Sequence, residues 1–242
     1  MFPVLQLGPL ALPIPGLVLL IGVWIGLSLT EKEAAQLQLN SEGVYNLAFI
    51  GLAAGLIGAR LAYVARYVSA YAADPLGVFS LNPATLTPTE GVLIGVVAAI
   101  LYGARRKLPL QLTLDALAPA IALMGVAVAI AHVASGDAFG AAARLPWSVY
   151  LWDEYRHPSQ VYELIAGLGV LGLWWRAMTR GPFAGFNFLL VIALSAAARI
   201  FLEAFRGDSL VIGGWRAAQL WGLVVLAACL GTMRYWGREA VS

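Results

Sequence analysis

The chain has 242 residues, 61% of them hydrophobic and only 12% charged, with a mean hydropathy of +0.81. This composition excludes an ordinary soluble domain and predicts an all-α polytopic membrane protein, one domain over residues 1–242. The net charge of +2 is too small to argue for a nucleic-acid partner, and the single Cys229 excludes an internal disulfide and reads as a small core hydrophobe.

A helix needs about 20 mostly apolar residues to cross hydrocarbon. In chain order the expected spans are 11–29, 44–66, 91–104, 111–135, 159–176, 183–205 and 214–236, about seven helices. The first follows nine residues without Lys or Arg and without a cleavage-type pattern, so it reads as a retained span. The second carries Arg60 and Arg66. The third is short, and Pro83 and Pro88 before it predict a broken or re-entrant entrance, with Glu90 at its start. The fourth follows Arg105, Arg106 and Lys107, contains Asp115, and ends near His132. The fifth opens on R-H-P-S-Q-V-Y-E at 156–163, where Pro158 suits a first helical turn. The sixth ends on Arg199, Glu203 and Arg206, and the seventh holds Cys229. Glycines such as Gly51, Gly55, Gly58, Gly167, Gly169 and Gly172 allow helix backbones to approach closely in lipid.

Lys32, the 105–107 run, Arg176 and Arg180, and Arg234 and Arg238 fall on one side of the bundle, while loop 67–84 has no Lys or Arg. Arg144, Arg156 and Arg206 on the opposite side weaken that bias. The balance predicts an N-terminus outside and a cytoplasmic C-terminus. In that orientation Arg60, Arg66, Glu90, His132, Asp137, His157, Gln160, Tyr162, Glu163, Arg199, Glu203 and Arg206 converge at the outer leaflet. Ionisable groups at membrane depth are costly unless paired or employed, so the cluster is a functional hypothesis; the alternative is a structural ion-pair network. Arg199 and Glu203, four apart, share a helix face and can pair. His157, Gln160 and Glu163, at intervals of three, can line one face of the fifth helix. His132 and His157 have no partner at ligand spacing, so neither a metal nor a cofactor is expected. Asp115 alone lies at the inner end, where it is expected to cap a helix or pair with residues 105–107. The otherwise dry inner half argues against a transporter or channel.

These residues carry a resemblance. Residues 156–163 resemble the H-P-x-Q-x-Y-E motif of the prolipoprotein diacylglyceryl transferases, seven-helix enzymes of the bacterial inner membrane. R-I-F-L-E-A-F-R at 199–206 is similar to that family's R-x-x-x-E-x-x-R segment, and G-D-A-F-G at 136–140 to the end of its signature. Gly58, Ala59, Arg60 and Tyr63 resemble its G-G-R-x-x-Y helix, and Asp74, Pro75 and Leu76 its D-P loop. The match is collinear from about 8 to 208. It implies transfer of the diacylglyceryl group of phosphatidylglycerol to a lipobox cysteine thiol of a preprolipoprotein, with loss of glycerol 1-phosphate. Arg199, supported by Glu203, is then expected at the lipid phosphate. Arg60 and Arg206 are expected at phosphate or headgroup, and Asp137 and Gly140 at the headgroup pocket. Gln160, Tyr162 and Glu163 line the site, with Tyr162 also suited to an interfacial aromatic belt. His157 or His132 is the candidate base; His157 alternatively only orients the helix entrance.

The chain departs from the family pattern at several points. Ala129, His132 and Ser135 stand where the signature has Arg, Asn and Asn; Glu90 replaces the His of an H-G-G motif, and Pro15 a Tyr in the first helix. Two readings follow. In one, a divergent transferase rebuilds its site with His132 and Glu90. In the other, a member without the chemistry keeps the lipid cavity and binds phospholipid or serves as a subunit of a membrane protein complex.

Overall fold

The computed structural model describes residues 4–7, 10–80, 85–178 and 181–240. Its eight helices are α1 (Ile14–Gln36), α2 (Ser41–Arg66), α3 (Val68–Ala73), α4 (Pro88–Arg105), α5 (Leu110–Ser135), α6 (Ser159–Ala177), α7 (Phe186–Leu202) and α8 (Ala217–Glu239). All but the six-residue α3 match the seven expected spans, and six of them are long and apolar enough to cross a membrane. The exception is α6, whose 19 residues include Ser159, Gln160, Glu163 and Arg176 and dilute its apolar character. Large apolar side chains such as Leu20, Leu56, Ile100, Trp175 and Val224 point outward from the helices. In water such continuous exposure is untenable; against acyl chains it has no cost. The protein is therefore a polytopic helical membrane protein.

The helix limits differ from the expected ones for local reasons. Helix α1 starts at Ile14 rather than 11, because Leu10–Pro13 (β2) pairs antiparallel with Val4–Leu7 (β1). Helix α4 starts with Pro88 in its first turn, where no N–H partner is missed, and runs unbroken to Arg105. Pro83 and Arg180 lie outside the described residues.

The chain divides into two compact units, residues 34–113 and residues 1–33 with 114–242. In the first, α2 crosses α4 on glycines: a Cβ at Gly95 would stand 2.6 Å from the Gly51 carbonyl oxygen, and one at Gly91 2.8 Å from that of Gly55. The absence of side chains there is what permits the crossing. Asn40 caps α2, its side chain accepting from the Gly43 N–H at 2.9 Å.

In the second unit α5, α6 and α7 bury Ala118, Ala122, Val170, Trp174 and Val191. Helices α7 and α8 bury Leu189, Ala193 and Cys229, so the cysteine is the core hydrophobe expected. Asp115 accepts backbone N–H bonds from Gly185 and Phe188, at 2.6 and 2.9 Å, and so caps α7 from a neighbouring helix. The dryness expected at this end does not hold. Thr30, Glu33 and Asn187 are buried as well, and Glu33 lies within electrostatic range of Asp115.

Two hairpins, which the hydropathy pattern did not anticipate, join the helices at the other end of this unit. Val149–Leu151 (β3) pairs with Glu154–Arg156 (β4), and Val211–Ile212 (β5) with Trp215–Arg216 (β6). Both turns place two residues at positive φ, as tight hairpins require. Gly213 and Gly214 do so freely, whereas Trp152 (φ 52°) and Asp153 (φ 60°) are strained there. The Trp152 indole N–H donates to the Gly136 carbonyl and holds that turn.

Candidate active site

Three helix ends and one extended segment of the larger unit bring charge together. Helix α5 ends with His132, α6 begins with Gln160 and Glu163, and α7 ends with Arg199. A 3-10 turn over Glu203–Phe205 then inserts Glu203, and Arg206 follows in extended conformation. The centre of the cluster is Glu163. One carboxylate oxygen lies 2.9 Å from His132 Nδ1; the other accepts from Arg206 Nη1 at 2.6 Å and Arg199 Nη1 at 3.4 Å. Both carboxylate oxygens of Glu163 therefore face nitrogen partners, two of which are guanidinium groups.

Arg199 also reaches Glu203, with Nη2 3.0 Å from Oε2, so the pair foreseen from i,i+4 spacing forms. The contact is an ion pair by distance only. Among the described residues no N–H is aligned on Glu203 Oε2, which is left without a hydrogen bond. Glu203 is almost wholly buried, at 1% side-chain exposure, whereas Arg199 is 42% exposed and keeps donors on its open side. Arg206 grips Asp208 with two parallel bonds of 2.9 and 2.7 Å. Burial opposes the Arg206 charge, but the Asp208 and Glu163 contacts more than offset it and hold its pKa above the ordinary arginine value. Arg216 Nη1 donates to the carbonyls of Glu203 and Arg206 and to Ser209 Oγ, locking the segment after α7.

The loop after α5 forms the frame. Gly140 bridges Arg206 in antiparallel fashion, with Ala141 N–H on the Phe205 carbonyl at 2.8 Å and Gly207 N–H on the Phe139 carbonyl at 2.9 Å. A Cβ at Gly140 would sit 2.1 Å from the His157 carbonyl oxygen, so only glycine fits. Ser159 Oγ donates to the Ala138 carbonyl, and Gln160 Nε2 to that of Asp137 at 3.0 Å. The Asp137 side chain itself is exposed. Arg156 donates to the carbonyls of Leu151 and Gly140, pairs with Glu154 and covers the Phe139 ring; its work is to hold the loop.

Beside the cluster lies an apolar groove of about 580 Å³, lined by Leu145, Trp147, His157, Tyr162, Ile165, Ala166, Ala198, Phe201, Leu202 and Phe205. Four of its walls adjoin the charged cluster by a single residue: Tyr162 precedes Glu163, Ala198 precedes Arg199, Leu202 precedes Glu203 and Phe205 precedes Arg206. His157 lies edge-on to Phe205 and Tyr162, with Nδ1 3.4 Å from the Tyr162 hydroxyl, which accepts from the Trp147 indole N–H. It precedes α6 rather than sharing a helical face with Glu163.

Sequence reading thus named His132, Gln160, Glu163, Arg199, Glu203 and Arg206, which the fold assembles. It missed Asp208 and Arg216, whose only signal is a charge in a short loop beside Arg206. Of the others, His157 and Tyr162 line the groove, Gly140 and the Asp137 backbone frame the cluster, and Arg60, Arg66 and Glu90 lie in the smaller unit. Arg60 Nε donates to the Val78 carbonyl at 2.9 Å, Nη1 to Thr85 and Nη2 to the Gly77 carbonyl, and Tyr71 packs under the guanidinium. Each nitrogen of Arg60 thus donates to the loop that follows α2. Glu90 pairs with Arg66 at 2.6 Å. Ala129, where the resembled signature has Arg, is buried in packing. Among the described residues, no three His, Cys, Asp or Glu side chains are placed to hold a metal ion.

Residues 3–235 match the family model described as prolipoprotein diacylglyceryl transferase. Similar proteins named phosphatidylglycerol–prolipoprotein diacylglyceryl transferase occur in several bacteria. That of Thermosynechococcus vestitus is 30% identical over 96% of this chain and 90% of its own length. That of Synechococcus elongatus is 28% identical over 96% and 86%. That of Clostridioides difficile is 27% identical over 86% and 84%.

Proposed function

Because the chain belongs to the prolipoprotein diacylglyceryl transferase family, we propose that it transfers the diacylglyceryl group of phosphatidylglycerol to the cysteine thiol of a prolipoprotein. The carrying observation is the apolar groove whose walls adjoin the charged cluster residue by residue. An amphiphile with an anionic head and acyl tails matches that juxtaposition. The half-exposed face of Arg199 receives the lipid phosphate, because guanidinium matches phosphate geometry. Arg206 and Arg216 add positive field from behind, Glu163 and Glu203 fix the Arg199 head, and the groove takes acyl chain. Gly140 and the backbone of Asp137 shape the headgroup end, and Gln160 and Tyr162 hold the loop and groove around it. The location is the bacterial cytoplasmic membrane, with the site at its outer leaflet, where phosphatidylglycerol and an exported lipobox segment meet.

The test is to incubate the purified protein with phosphatidylglycerol and a lipobox peptide and to weigh the peptide by mass spectrometry. The expected result is a diacylglyceryl thioether on cysteine. No product, alongside an active relative as control, contradicts transfer. Phosphatidylglycerol retained by the wild type and lost in Arg199→Ala would then support the alternative, a lipid-binding member without turnover.

A further inference from the structure

Two imidazoles lie near the groove, and their surroundings differ in one decisive way. His157 has an aromatic cage and a phenol at 3.4 Å, and among the described residues no carboxylate on its ring. His132 has the Glu163 carboxylate at 2.9 Å on Nδ1, and among the described residues its Nε2 makes no hydrogen bond while the ring stays 29% exposed. An anion on one ring nitrogen fixes the tautomer with its proton there and leaves the other nitrogen's lone pair free. Resting on the transfer reading above, we propose that His132, oriented by Glu163, carries the proton of the reaction.

The step balances. Nε2 of His132 takes the proton of the acceptor S–H. The thiolate sulfur forms a bond to the glyceryl carbon as the carbon–oxygen bond to phosphate breaks, and that bond's electron pair leaves on the phosphate oxygen. The imidazolium returns its proton to the released phosphate monoester and is neutral again. No other reactant is required.

The charges around His132 favour this role. Glu163 faces it from α6; Arg199 lies on α7; Glu203, Arg206 and Asp208 follow α7; and Arg216 starts the approach to α8. His157 and Tyr162, the exposed Asp137 on the loop after α5 and the Arg156–Glu154 pair are the other charged or titratable groups at this end of α6. Within the network that follows from Glu163, three guanidinium ions stand against three carboxylates. His132 is the member of this set with a free ring nitrogen, so the thiol's proton has an acceptor there. A neutral imidazole with a free ring nitrogen can take a proton and return it in one cycle.

Rates of thioether formation against pH test this, comparing wild type, His132→Asn and His157→Gln, with the unfolding midpoint measured for each. The expectation for His132→Asn is a loss of about 10²-fold or more, disappearance of the acid-side fall in rate, and partial recovery on adding imidazole. His157→Gln should keep the acid-side fall. An active wild type whose rate and pH profile survive His132→Asn within about twofold overturns the proposal and leaves the transfer reading standing. A wild type that makes no thioether overturns both. Should His132→Asn fail to fold, nitrogen NMR of the wild-type imidazoles decides. A neutral His132 protonated on Nδ1 is expected, and one protonated on Nε2 overturns the proposal.

Discussion

At the scale of the residue, the tightest constraint is Gly140, whose missing side chain lets the loop after α5 lie on the His157 backbone and bridge to Arg206. Gly140→Ala should lower stability by about 3 kcal/mol, as overpacking against backbone does, and abolish activity. Thermal unfolding in detergent checks this. Gly169→Ala, with nothing within 4 Å of its Cβ, should be neutral or gain about 1 kcal/mol of helix propensity. Arg206 is constrained by geometry as well as charge, since it holds Asp208 with two bonds while reaching Glu163. Lysine keeps the charge but not the fork. Arg206→Lys should therefore lower transfer about tenfold with the fold retained, measured as the initial rate of thioether formation. Spacing along one helix made the Arg199–Glu203 pair legible in the sequence. The His132–Glu163 contact was not legible as a pair, because its members lie on different helices 31 residues apart. The loop contacts of Arg60 were not legible either. Nothing in its sequence neighbourhood shows that carbonyls of residues 77, 78 and 85 take its donors.

At the scale of the element, the long helices were legible because lipid demands about 20 apolar residues for each crossing. Hairpins β3–β4 and β5–β6 were not, because two- and three-residue strands carry no hydrophobic period to read. They matter nonetheless, since β4 delivers Arg156 to the Gly140 loop and β6 delivers Arg216 to the segment after α7. Helix α7 shows a second kind of dependence. Its first turn has no side-chain cap of its own, and Gly185, in left-handed conformation, precedes it. The carboxylate of Asp115 on α5 supplies what the local sequence lacks. Asp115→Ala should cost about 1–2 kcal/mol, the range for loss of a cap, and raise hydrogen exchange at the Gly185 and Phe188 amides. Unchanged exchange there would show that another group caps the helix.

At the scale of the whole molecule, composition alone made the class legible, and the seven long helices agree with it. Orientation follows only from the bias of basic residues and is tested directly. On a Cys229→Ala background, a cysteine at Asp153 should react with an impermeant maleimide in intact cells. One at Lys32 should react only after permeabilisation. The reverse pattern would put the charged cluster on the cytoplasmic side, away from an exported substrate. The central claim is that the cluster around Glu163 is where the lipid head reacts. Its most direct test is the initial rate of diacylglyceryl transfer by Glu163→Gln, which keeps the shape but removes the charge holding His132, Arg199 and Arg206 together. The expected result is a fall of about 10²-fold or more in a folded protein, the scale of losing one organised group in an active site; a rate within about twofold of wild type would contradict it.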